Sequence, residues 1–350
     1  MSVAAVIILN YNGVHFLEQF LPSVVRYSEG HRIIVADNAS TDTSLTFLAE
    51  TYPQVEVMAF DQNYGFAEGY NRALASVENA YSILLNSDVE VTPHWIEPIL
   101  SIMEADAQIV ACQPKVRAYH QRELFEHAGA AGGYIDLLGY PFCRGRIIDY
   151  IEKDTGQYDD IVPVFWATGA CFFAHTETYR RLGGFDALFH AHMEEIDLCW
   201  RIQAAGFKVC YQPQSVVYHV GGGTMPVTNP RKTYLNFRNS TGMLYKNTPY
   251  SQLLWKVSLK LALDLVAALR FYAIGKSKEG RAVLQAVTDF IKYRERWKES
   301  REKVPKKMAY KAGVMMPRLL VIERYLRKRK LFTQLKSIKV NSTTADCDSF

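Results

Sequence analysis

Within the first 103 residues four short apolar runs, at 5–9, 32–36, 55–60 and 81–85, alternate with segments of helical periodicity at 15–27, 43–51, 67–77 and 93–105. Short apolar runs followed by a 3.6-residue repeat are the pattern of βαβ units stacked into a mostly parallel sheet, so the chain reads as an α/β protein. Pro93 suits the first turn of the fourth helix and Thr92 the cap before it. Every strand ends in a polar cluster: Asn10-Tyr11-Asn12-Gly13, then Asp37-Asn38-Ala39-Ser40-Thr41-Asp42, then Asn63-Tyr64-Gly65, then Asn86-Ser87-Asp88. In such sheets ligands bind at the carboxyl ends of the strands. Four successive ends converging on polar residues and glycines exceed what turn chemistry alone requires.

Residues 109–222 read as the rest of the same domain, with glycine-rich loops such as 129–133, and a helical region without further strands begins near Pro249. The expected division is a catalytic domain at 1–248, a basic amphipathic helical region at 249–335 and a flexible tail at 336–350. With 49% hydrophobic and 22% charged residues, the 350-residue chain can bury a full core. Its net charge of +4 hides an asymmetry, because residues 251–334 hold 21 Lys/Arg against 7 Asp/Glu. That end is built for a negatively charged surface. No nucleic-acid-binding module accompanies it, so nucleic acid is not an expected partner. Six cysteines without CxxC spacing argue against a zinc knuckle and a disulfide framework and fit a reducing cytoplasm. The apolar N-terminus lacks a basic leader and a cleavage site and reads as the first strand.

Each polar cluster has a bland and a functional reading. Residues 38–42 suit a helix cap, whereas Asp37 ends an apolar strand where a carboxylate can accept from a base N–H or a sugar hydroxyl. Residues 63–71 form a strand-to-helix turn whose glycines permit either tight packing or a backbone approach to a diphosphate. The stretch is neither a Walker loop nor a dinucleotide fingerprint. Asp88 is either a turn residue or one of the few carboxylates that a hard cation takes when phosphates supply its other ligands. The strongest local signal is His192-Met193-Glu194-Glu195-Ile196-Asp197-Leu198-Cys199-Trp200-Arg201. Single acidic residues are commonplace at helix starts, but three within four positions repel one another and push carboxylate pKa values toward those of a general base. His219 closes another apolar run, before glycines. A lone histidine is more often structural, and this one is also a candidate second metal ligand.

In their order along the chain VIILNYNG, ADNASTD, NYGFAEGYN, LLNSDVEV, ATGACFF, GGFD, MEEIDLCWR and VYHVGGG resemble the family 2 glycosyltransferases of the GT-A fold, especially bacterial rhamnosyltransferase-like members that build cell-surface polysaccharides. The resemblance covers about residues 3–245. It implies a Rossmann-like nucleotide-binding fold with a mixed, mostly parallel sheet. Asn10, Tyr11 and Asn12 would border the nucleotide, Asp37 and Asn38 would contact base or ribose, and Asn63, Gly65 and Asn71 would line the donor site with Asn86 and Ser87. Asp88 would be the metal-binding aspartate of a DxD-type motif whose first acidic position is Asn86 here, leaving Mg²⁺ or Mn²⁺ to Asp88 and His219. In the acidic motif Glu195 takes the position of the base, Glu194 competes for that role, and Asp197 would organise the cluster by holding Arg201 or an acceptor hydroxyl. Trp166, Thr168 and Gly169 would lie on the acceptor side.

The family implies inverting transfer from a nucleoside-diphosphate sugar, with dTDP-rhamnose as one donor and UDP- and GDP-sugars as others, to a saccharide or lipid-linked saccharide. A sugar nucleotidyltransferase is a rival reading, although residues 10–16 lack its basic triphosphate loop; a non-catalytic nucleotide-sugar-binding scaffold is another. In the C-terminal region Lys256, Lys260 and Asp264 recur at i, i+4 and i+8 and mark one polar stripe. That pattern favours in-plane contact with an anionic membrane over spanning, with the basic run 324–330 holding the surface at the inner face of the cell membrane; an amphipathic helix packed on the catalytic domain is the alternative.

Overall fold

A computed structural model of the chain describes residues 4–221, 229–304 and 306–335. The tail at 336–350 and the end of the glycine run, Gly222 and Gly223, lie outside the described residues. The strands are β1 (Ala4–Asn10), β2 (Arg32–Asp37), β3 (Glu56–Ala59), β4 (Tyr81–Asn86), β5 (Val89–Val91) and β6 (Ile109–Ala118), followed by β7 (Gly133–Ile135), β8 (Pro141–Cys143), β9 (Arg146–Ile147), β10 (Tyr150–Ile151), β11 (Val162–Val164), β12 (Cys171–His175) and β13 (Lys208–His219). The helices are α1 (Val14–Tyr27), α2 (Ser44–Thr51), α3 (Gly65–Ala75), α4 (Glu97–Ala105), α5 (Thr176–Arg181), α6 (Glu194–Ala204), α7 (Pro230–Asn247), α8 (Tyr250–Ala273), α9 (Ser277–Lys292) and α10 (Arg294–Glu302).

The main sheet runs β11-β13-β6-β12-β4-β1-β2-β3, and β7 to β10 form a small second sheet. β1 to β4 are mutually parallel, as expected from the alternating pattern, while β12 lies antiparallel between β4 and β6. β1 is apolar throughout because it is buried on both faces. Ala5 and Ile7 join one core layer with Ala67, Tyr70 and Leu74 of α3; Ala4, Val6 and Ile8 join the other with Leu17, Leu21 and Val24 of α1. The antiparallel insertion matters for the site. It brings the chain into β12 at the edge where β4 ends, so Asn86 N–H donates to the Ala170 carbonyl at 3.0 Å.

Two sequence expectations are corrected here. β5 was not anticipated, and the fourth helix starts at Glu97 instead of Pro93. The Thr92 hydroxyl donates to Val216 O at 2.7 Å, so it secures the end of β5 to β13 and caps no helix; Pro98 takes the first-turn position. The long C-terminal helices end at Glu302, and among the described residues only a π turn at Ile322–Leu326 and a 3-10 turn at Phe332–Gln334 follow. Residues 306–335 return over the small sheet, with Met316 N–H donating to Ile135 O at 2.9 Å and Phe332 N–H to Glu152 Oε1 at 2.9 Å.

The polar stripe of α8 faces inward. Lys260 and Asp264 are buried and paired at 2.7 Å, with Tyr140 and Thr241 donating hydroxyls to Asp264 and Lys260 lying over the Tyr140 ring. Lys256 donates to Ala309 O. The outward face is apolar instead, carrying Leu254 (82% exposed), Val266 (60%) and Leu269 (69%). The basic run 324–330 is partly spent on intramolecular pairs, Arg324 with Asp149, and Arg327 and Arg329 with the buried Glu323. No described helix is long and apolar enough to cross a membrane.

Candidate active site

The strand-end residues hold one another. Asp37 is buried and accepts from Asn10 Nδ2 at 3.0 Å and from Ser40 N–H at 2.8 Å, which fixes the loop after β2 to the end of β1. Asn12, in the left-handed region at φ 49°, accepts from Thr41 N–H at 2.7 Å. Asn38 donates to Asn63 Oδ1 and to Gly65 O and accepts from Tyr64 N–H at 2.8 Å, so it shapes the turn that carries Asn63 and Gly65. Gly65 has φ +75°, and a Cβ there would lie 2.7 Å from the His190 ring. Only glycine satisfies both demands. Tyr11 remains exposed, and Ser87 and Asn86 stand half-buried at the turn into β5.

Three expected contact residues are committed elsewhere. The Asn71 side chain donates to Phe185 O at 2.7 Å and accepts from Phe185 N–H and the Tyr179 hydroxyl, so it anchors the Gly184–Phe185 turn. Trp166 is buried against Gly133 and donates to Tyr134 O at 2.9 Å. Thr168 is buried, its N–H bonded to Gln113 and its hydroxyl accepting from Ala170 N–H. Trp166 and Thr168 thus belong to the core. Gly169 adjoins Glu195 and Phe66: a Cβ on it would stand 4.0 Å from Glu195 Cβ and 3.4 Å from Phe66 Cζ.

The three carboxylates of α6 have separate surroundings. Asp197 is fully buried and accepts from Arg201 Nε at 3.0 Å, Lys246 Nζ at 2.8 Å and Asn247 Nδ2 at 2.7 Å. Both of its oxygens are thereby used, which makes it a positioning residue that ties α6 to α7. Glu194 is buried, and burial together with the neighbouring Glu195 charge pushes its pKa well above the usual range. Burial raises Glu195 to about 7, backbone N–H groups holding it back from a larger rise. One oxygen of each glutamate, and His192 Nε2, is buried without a protein partner. The loop before them is strained, with His190, His192 and Met193 all at positive φ. Asn239 of α7 holds it there by donating to the carbonyls of Phe189, Ala191 and His192 at 2.8–3.0 Å. Nothing in the sequence marked Asn239, because a polar residue on a helix is ordinarily solvated.

β5 explains the other half of the site. Its pairing with the end of β13 sets His219 opposite Val89, so that His219 Nε2 comes 3.2 Å from Asp88 Oδ1. On the other ring nitrogen Glu126 Oε2 lies 3.5 Å away. Burial would lower the His219 pKa, but the Asp88 and Glu126 charges outweigh it and raise it to about 10. Glu126 just precedes the 129–133 glycines and went unnoticed in the sequence. Held between the Asp88 and Glu126 carboxylates, the imidazole keeps both ring protons near neutral pH, and a divalent cation would have to displace the Nε2 proton for Asp88 and His219 to serve as its ligands. Among the described residues no three His, Cys, Asp or Glu side chains gather as a complete metal cage. Phosphate oxygens would supply the remaining ligands.

A mostly parallel sheet of this order, with helices on both faces and polar strand ends, is the arrangement of the GT-A fold. Residues 5–170 match the family model Glycosyl transferase family 2. The chain is 25% identical over 234 residues to an N-acetylglucosaminyl-diphospho-decaprenol L-rhamnosyltransferase of Mycobacterium tuberculosis, covering 62% of this chain and 76% of the relative. Among solved structures it resembles GalNAc-T7 with UDP, GalNAc and Mn²⁺, with a TM-score of 0.55 and 17% identity over 71% of this chain and 49% of that one. It also resembles a mannosyltransferase of Pyrobaculum calidifontis in complex with GDP-Man and Mn²⁺, with a TM-score of 0.50 and 14% identity over 84% of this chain and 88% of that one.

Proposed function

We propose that this chain is an inverting glycosyltransferase that moves a sugar, rhamnose from dTDP-rhamnose in the first instance, onto a lipid-linked saccharide of the cell envelope. The observation that carries the reading is Glu195, a carboxyl raised to about 7 by burial, with one oxygen unpartnered, beside Gly169. A base of that pKa takes a proton near neutral pH. Glu194, raised further, holds its proton and serves as a neighbour to the base. Glu195 removes the proton of the acceptor hydroxyl as that oxygen forms the new bond to the anomeric carbon; the bond to the nucleoside diphosphate breaks on the opposite face, and configuration inverts.

Asp88 and His219 would hold Mg²⁺ or Mn²⁺, with Glu126 orienting the imidazole, and the bound ion would neutralise charge growing on the leaving diphosphate. The lipid-linked acceptor and the rhamnose donor are supported by the mycobacterial relative. The outward apolar face of α8 and the basic balance of residues 251–334 support work at an anionic membrane surface.

The test is Glu195→Gln assayed with dTDP-rhamnose, UDP-sugars and GDP-sugars in the presence of Mn²⁺. We expect transfer to vanish while nucleoside-diphosphate affinity is retained. A wild-type chain that binds none of these donors, or a Glu195→Gln variant that transfers at the wild-type rate, would overturn the reading.

A further inference from the structure

Between the first turns of α7 and α9 lies a cleft of about 570 Å³ bordered by His190, Arg231, Tyr234, Arg238, Lys278 and Arg281. Four permanent cations thus converge on one space. Among the described residues no carboxylate pairs with Arg231, Lys278 or Arg281. Asp289 is nearby, but it accepts the Tyr234 hydroxyl at 2.8 Å. Arg238 is held in place by bonds to the Leu188 and Phe189 carbonyls at 3.2 and 3.1 Å and to Asn239 at 2.9 Å. Burial, and after it the charges of Arg231 and Arg238, keeps His190 below the usual histidine range, a sign of the positive potential in the cleft. Such a site recruits a polyanion, and two arginine forks match phosphate oxygens.

Its position narrows the choice. His190 also closes the donor-side turn, its carbonyl accepting from Phe66 and Ala67 N–H at 3.3 and 3.4 Å, and two residues on come His192 and the Glu194–Glu195 pair. On the opposite side Lys278 follows the α8–α9 turn, where α8 ends with Leu269 and Ile274 exposed (69% and 53%). A phosphate in the cleft therefore has the candidate base within one loop of it and an apolar surface leading away from it. The donor's phosphates have the Asp88–His219 pair and its cation on the strand ends and do not require these four charges. We propose that the cleft binds the diphosphate of a prenyl-type lipid carrier that bears the acceptor sugar. The assignment to the acceptor rests on the transferase reading above; binding of the diphosphate itself does not.

The full-length chain and its Lys278→Gln/Arg281→Gln variant are titrated calorimetrically with geranyl diphosphate, with dTDP in the presence of Mn²⁺, and with soluble dihexanoyl phosphatidylglycerol. Both residues are exposed, and an unchanged Tm confirms that the variant is intact. Arg231→Gln serves as the second variant should the first lose Tm. The expected result is a geranyl diphosphate Kd at least tenfold weaker in the variant, with dTDP affinity unchanged and phosphatidylglycerol bound much more weakly than the prenyl diphosphate by the wild type. Three results overturn the proposal: geranyl diphosphate binding that is absent or indifferent to the substitutions, an equal loss of dTDP affinity, which returns the cleft to the donor, or equal binding of phosphatidylglycerol, which makes it a general headgroup surface. Absence of sugar transfer alongside intact, cleft-dependent geranyl diphosphate binding would sink the transferase reading and leave the diphosphate site in place.

Discussion

Glu195 and Glu194 sit side by side, and their burial acts on catalysis and stability with opposite signs. Only the ionised form of Glu195 accepts a proton, so kcat/KM is expected to rise with pH through about 7 and level off above it. Glu195→Gln should remove that limb and lower kcat on the order of 10²–10⁴-fold; a wild-type pH–rate profile flat across neutrality would contradict the assignment. For stability, a carboxyl whose folded pKa lies above its unfolded value binds its proton more tightly when folded. The stability it contributes below the unfolded value is lost as pH rises through the folded pKa. Glu194→Gln should accordingly raise Tm at about pH 8 and leave it nearly unchanged at about pH 4, where both states of the wild type carry the proton. Thermal melts at the two pH values decide this. The sequence already showed these residues as a charged cluster at a helix start. What it did not show is how each side chain is used. Asn38 and Asn71 read as ligand contacts from their place in the strand-end clusters, and the fold shows in addition that their amides hold the Asn63–Gly65 turn and Phe185, the latter 114 residues away from Asn71. Such pairings depend on the finished fold.

At the scale of elements, the strained loop before α6 is held by α7. Asn239 satisfies the half-buried Ala191 and His192 carbonyls, which have no other protein donor among the described residues, and shares the Phe189 carbonyl with Arg238 and the Ala191 N–H. Asn239→Leu should destabilise the protein by roughly 2–4 kcal/mol, since each buried polar group left unsatisfied costs about 1–3 kcal/mol and some of them regain water. The same substitution should speed hydrogen exchange at residues 189–194 and lower kcat more than donor affinity, because the base is displaced while the strand ends are untouched. Denaturant melts paired with exchange measurements test both halves of this expectation, and unchanged exchange in that loop would refute it. The four parallel strands and their helices were legible because each run was long enough to declare its period. β5 spans three residues, too short for any period, and with it the juxtaposition of Asp88 and His219 stayed a guess from the order of motifs. The antiparallel insertion of β12, which brings Gly169 to Glu195, is likewise a fact of topology that no local pattern carries.

Across the whole molecule, α8 shows a limit of periodic reading. The repeat of Lys256, Lys260 and Asp264 correctly marked one stripe, but a stripe does not reveal which way it faces, and the inward orientation depends on Tyr140 and Thr241 from elements distant in the chain. The two faces make opposite predictions. Lys260→Ala leaves Asp264 buried without its cation, and breaking a buried pair from one side costs about 3–5 kcal/mol, so a large fall in Tm is expected. Leu254→Glu with Leu269→Glu replaces side chains that are 82% and 69% exposed, so Tm should stay within a few degrees. If that face rests on a bilayer, the same pair should weaken flotation with anionic vesicles at least tenfold, each apolar side chain withdrawn from lipid forfeiting about 1.5–3 kcal/mol of burial. Vesicle binding unaffected by the pair would leave the basic residues of α9 and α10 as the attachment, and high salt alone would then release the protein.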